Sequence, residues 1–133
     1  MNKSLNRLIG IPWGSGPGTC DCLRLMRRAE RVLLGVQIPR KWHYDADSLM
    51  ETSKIALREI QKYCVRVEHP CCGIIGLIKF DEFYHFVTFV DELYFLHVPR
   101  GGESRLTRYS LPYKRLTTGL FNISEEMMSK WRP

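Results

Sequence analysis

The hydrophobic rhythm of this chain changes once, at Cys64, and that change limits the folds open to it. Before it, apolar residues recur at the spacing of a helix face; after it, they alternate as on a half-buried strand. From Cys20 to Leu34, the residues Cys22, Met26, Ala29 and Leu33 fall on one stripe, widened by Leu25 and Val32. Arg24, Arg27, Arg28 and Arg31 fall outside that stripe and read as a solvated face. Thr19 or Asp21 suits the start of this helix and Gly35 its end. A second helix, capped by Asp45 or Asp47, carries Leu49, Ser53, Ala56, Ile60 and Tyr63 inward. A short helix over 4–9 precedes both, followed by the glycine- and proline-rich stretch 11–19.

Beyond Cys64 the expected strands are Val65–Glu68, Ile74–Phe80, His85–Val90, Leu93–Val98 and Arg105–Tyr109, with a last one around Tyr113–Leu116. Strands that follow one another without intervening helices pair antiparallel. The fold class is therefore α+β, with N-terminal helices packed on an antiparallel sheet of about five to six strands. A chain of 133 residues makes one domain, 1–133.

Other classes fall away on composition. No apolar run approaches the about 20 residues of a membrane span, and the first residues lack the apolar core of a secretory leader. Lys and Arg outnumber Asp and Glu by 20 to 14, which draws the surface towards anionic polymers. No nucleic-acid motif accompanies that charge. Five cysteines at uneven spacing do not form a disulfide scaffold and suit a reducing compartment.

Among those cysteines, Cys22 stands in the first turn of a helix behind a glycine-rich loop. The unpaired N–H groups and partial positive charge there favour a thiolate, the nucleophilic form. Two histidines extend the pattern. His85, Val87 and Phe89 share one face of their strand, and Leu93, Phe95 and His97 share one face of the next. A short odd-membered loop centred on Asp91 would make His85 and His97 direct cross-strand partners, roughly 4.5–5.5 Å apart at Cβ. A two-residue turn would set them diagonally, roughly 7–8 Å apart at Cα. Either way both rings share an apolar face, where a helix would pack. A helix-start cysteine facing two histidines is a nucleophile, a base and an orienter.

These residues carry a family likeness. Pro12-Trp13-Gly14, then Asp21-Cys22 at a helix start, then Gly35-Val36-Gln37-Ile38-Pro39, resembles the NlpC-type cell-wall peptidases. His85-Phe86-Val87-Thr88-Phe89-Val90 is similar to that family's histidine strand, and Phe95-Leu96-His97 before Gly101-Gly102 to the strand after it. The resemblance covers about Ile11 to Tyr109 and is closest to the branch found in phage tail assembly. It implies a papain-like α+β fold and a cysteine peptidase that cuts peptidoglycan stem peptides through an acyl-thioester. Cys22 would be the nucleophile, His85 the base and His97 its orienter, with Trp13, Asp21 and Leu23 at the oxyanion and substrate cleft. No cofactor or metal is implied. The partners would be stem peptides and other tail or tail-tip proteins. The place would be a virion tail, reached from the host cytoplasm without a leader and acting at the cell wall or periplasm.

Two other readings compete. One is an inert structural tail-tip component of the same fold, favoured by the bulky Leu23-Arg24 after Asp-Cys. The other is a metal-binding module using Cys64, His69, Cys71 and Cys72, whose thiolates and imidazole suit zinc. Adjacent cysteines are poor for a regular knuckle, and buried free thiols are the plainer account of them.

Overall fold

The computed structural model describes residues 3–39, 49–80 and 84–133, with the backbone alone for 49–53. Its elements run α1 (Lys3–Asn6), α2 (Cys22–Leu34), α3 (Leu49–Tyr63), β1 (Cys64–Val67), β2 (Ile75–Lys79), β3 (Tyr84–Phe89), β4 (Tyr94–His97), β5 (Arg105–Arg108), α4 (Leu111–Leu116), β6 (Thr117–Ile123) and α5 (Glu125–Trp131). The strands form one antiparallel sheet in the order β1-β6-β2-β3-β4-β5. The expected α+β class holds, and α3 hands over to β1 at Cys64, where the rhythm changes. None of the described helices is long and apolar enough to cross a membrane.

Local chemistry sets the ends of α2. The Asp21 carboxylate accepts the backbone N–H of Arg24 at 2.8 Å, an N-cap that satisfies one of the helix's orphan donors. Gly35 closes the helix in the left-handed conformation at φ 68°, where a side chain would be strained. The caps proposed for the second helix, Asp45 and Asp47, lie outside the described residues.

The segment Tyr113–Leu116 is not a strand. Pro112 sits in the first turn of α4, where its fixed φ and missing N–H suit a helix, and the sixth strand begins only at Thr117. The chain then adds a helix not expected from its pattern: Ser124 caps α5 by accepting the N–H of Met127 at 3.3 Å.

Each strand in the middle of the sheet is buried on both faces. On one, Phe86, Leu77, Ile75, Phe121 and Ile123 meet Leu23 and Met26 of α2, Ala56 and Ile60 of α3, and Met127 of α5. Beside them, Leu96 and Val98 meet Leu25 and Ala29 of α2 and Leu5 of α1. On the other face lie Ile78, Val87, Phe89, Phe95 and Leu120, covered by Phe80, Tyr109 and Tyr113. The helical face is mostly aliphatic, and the opposite face is ring upon ring.

Candidate active site

The site is built where α2 meets β3. Within β3, Phe89 exchanges backbone hydrogen bonds with Gly73 and Ile74 on the β2 side. Because bonding direction alternates along a strand, Phe86 directs its N–H towards β4 instead. The β3–β4 ladder, however, pairs only Thr88 with Leu96 and Phe89 with Phe95, and then ends. The strands fork there, and the first turn of α2 fills the fork. Cys22 packs against both helix-side clusters, and the N–H of Phe86 is directed at its sulfur. The thiol therefore lies beside the residue that follows His85.

Burial decides the state of that thiol. Burial pushes Cys22 up to about 11, against the downward pull of the Phe86 and Leu23 N–H groups. That favours the thiol over the thiolate expected at the helix start. Desolvation outweighs the helix-end field, whose effect is modest and confined to the first turn.

Both histidines sit as a pair, but not as direct partners. The hairpin turns around Glu92, since Val90 bonds Tyr94, and the register places Thr88 opposite Leu96. That sets His85 and His97 on the diagonal, the second of the two arrangements open to the sequence. Their rings share the aromatic face: Phe80 lies 4.8 Å from His85 and 6.0 Å from His97 between centroids, and Phe95 lies 5.1 Å from His97. This face is the one turned away from α2, contrary to the expected packing. Cys22 reaches the sheet from one side and the imidazoles stand on the other, with the fork of β3 and β4 between them.

His97 is buried, and its Nε2 shares a hydrogen bond of 2.9 Å with the Thr107 hydroxyl. Burial, then the Arg105 guanidinium and the neighbouring His85, holds its imidazole down at about 4. It is neutral across the physiological range, as an orienting hydrogen-bonding group needs to be. The Nε2 atom of His85 is shut off from solvent.

The other expected site residues divide. Trp13 lies on the loop before α2, bridged to Cys20 and bonded through its N–H to the carbonyl of Gly102, with Arg100 5.8 Å above its ring. Asp21 acts as the helix cap. Leu23 is 3% exposed and belongs to the core, so its side chain lines no cleft and only its backbone N–H faces the sulfur.

The sequence did not single out two residues at the site, Phe80, which touches both imidazoles, and Thr107, which holds one, nor Glu30, fully buried further along α2. Glu30 follows Cys22 and Met26 at intervals of four, and that spacing was the available sign.

The proposed metal cluster does not assemble. Among the described residues no three His, Cys, Asp or Glu side chains converge to hold an ion. Cys64 is half-buried at the start of β1, while His69, Cys71 and Cys72 are exposed on the β1–β2 connection. Burial and the nearby Glu30 push the Cys64 thiol up to about 12. No protein-family model matches this chain. A search of curated proteins likewise returns no match.

Proposed function

We propose that the chain is a cysteine peptidase of the NlpC type, acting on peptidoglycan stem peptides as a tail-associated protein of a phage. The observation that carries this reading is the fork: the Cys22 sulfur stands against the N–H of Phe86, next in chain to His85, with His97 on the adjoining strand. His85 takes the thiol proton once its ring reaches the sulfur through the fork between β3 and β4. The sulfur attacks the carbonyl carbon, and the oxyanion is held by backbone N–H groups at the helix start, that of Leu23 among them. His85 returns the proton to the leaving amine as the C–N bond breaks, leaving an acyl-thioester. Water, deprotonated by His85, then cleaves the C–S bond. Because Cys22 rests as a thiol, proton transfer accompanies substrate binding rather than preceding it. His97 aims His85 and does not itself exchange a proton near neutral pH.

The test is clearing of a peptidoglycan gel by the purified chain, alongside Cys22→Ala. Clearing by the native protein and none by the variant, with equal far-UV circular dichroism, supports the reading. Clearing by both sinks it. A second reading, an inert domain of the same fold, draws on one observation: the partly buried thiol is pushed up to about 11. Absence of clearing by the native chain between pH 6 and 9, about the range in which such pairs work, would favour it.

A further inference from the structure

Of the four arginines of α2, Arg28 and Arg31 are exposed and Arg24 and Arg27 are partly buried. Arg24, Arg27, Arg28 and Arg31 line a cavity of about 570 Å³ whose opposite wall is the 37–39 turn. The Arg27 Nε donates to the carbonyl of Ile38 at 3.2 Å, tying helix to turn, and the turn is anchored by the Gln37 N–H on the carbonyl of Trp131 at 2.9 Å. The lining is thus a built groove with one sign of charge. Glu30 is the lone acid of α2, and it is buried away from solvent.

That arrangement is unfavourable to the helix by itself. The spacings 24–27, 24–28, 27–31 and 28–31 each place like charges one turn apart, where they repel. Arg24 also sits in the first turn, beside the positive end of the helix. The Asp21 carboxylate at the cap already offsets the second, and an anion in the groove relieves the first. A groove of one sign also concentrates its field and raises the local concentration of anions.

We propose that this groove binds a phosphodiester polymer by its backbone alone, of the kind formed by a polyol phosphate chain. Arginine forks match phosphate oxygens two at a time. From Arg24 to Arg31 the helix rises about 10 Å, which spans about three phosphates of a strand. Among the described residues the lining is arginine, Gln37, Ile38 and Pro39, with no aromatic side chain. The proposal is independent of the peptidase reading, since binding needs no turnover at Cys22.

The probes are a 12-mer abasic phosphodiester strand, poly(glycerol phosphate) and dT12, each titrated by fluorescence anisotropy against the whole chain from low to moderate salt. We expect all three to bind, with the abasic strand and dT12 equal within about twofold. The logarithm of affinity should fall with that of salt at a slope of about −2. Arg28→Gln with Arg31→Gln, both exposed side chains, should weaken binding about tenfold and flatten the slope by about 1. Lys114→Gln with Lys130→Gln removes the same charge elsewhere and should change affinity less than about twofold. The proposal is overturned if that control loses as much as the arginine pair, or if the arginine pair changes nothing. It also fails if dT12 binds tenfold tighter than the abasic strand, because bases would then be read.

Discussion

The two faces of the sheet are both dry, yet they bury opposite kinds of ionisable group. The helix-covered face encloses Glu30, whose carboxyl oxygens have no hydrogen-bond partner among the described residues. The ring-covered face encloses His97, which has one in Thr107. Burial acts on each in the same physical sense, by penalising charge, and so moves their pKa values in opposite directions. Glu30 is lifted well above the usual carboxylate range, and His97 falls to about 4. Stability therefore changes with pH from two sides. At Glu30 the folded protein keeps a proton that the unfolded chain releases, so stability declines as pH rises above about 4.5. At His97 the unfolded chain takes up a proton that the folded protein refuses, so stability declines as pH falls from 6.5 towards 4.

The comparison breaks first at its non-ionisable part. Phe86→Ala leaves a hole between β3 and α2 and should cost about 3–5 kcal/mol at every pH, read from urea unfolding. A cost below about 1 kcal/mol would mean that the helix face does not depend on this ring. Next comes His97→Gln. It should remove a loss on the order of 3 kcal/mol between pH 6.5 and 4, flattening the acid limb of the stability curve. An unchanged acid limb would place the responsible group elsewhere. Glu30→Gln should stabilise the protein by about 1–3 kcal/mol at pH 8 and hardly at all at pH 4, when both side chains are neutral. Equal effects at the two pH values would contradict the buried carboxyl. The smallest effect is that of Thr107→Val. Loss of its hydrogen bond to the His97 imidazole should cost about 1 kcal/mol at pH 7, measured by the same unfolding.

How much of this was written in the sequence differs between the faces as well. The stripe of α2, its Asp21 cap and its Gly35 end were legible because a surface helix must put polar residues outside. Five of the six strands were legible to within a residue or two, as was the shared face of His85 and His97, but the central strand Thr117–Ile123 was not. Which face the helix would cover was not. β3 is apolar on both sides, Phe86 on one and Val87 and Phe89 on the other, and a doubly buried strand carries no mark of its partner. The hairpin register was open for a similar reason: one residue in the loop decides between direct and diagonal histidines. Tyr113–Leu116 holds residues that suit a strand, and only Pro112 signals the helix start. In α5 the matching signal is Ser124 before two glutamates.

The placement of β6 between β1 and β2 has a consequence for how this protein is made. The strand that joins the two halves of the sheet follows all the others along the chain, so neither half can find its neighbour while residues 117–123 are still inside the ribosome. Within the sheet this pairing is also the most distant along the chain, Cys64 with Ile123 at one end and Ile75 with Phe121 at the other, which makes for slow closure. During translation two apolar strand edges stand bare, and a premature stop before Thr117 would leave them so, a prescription for aggregation and disposal by proteases rather than for a shortened working protein.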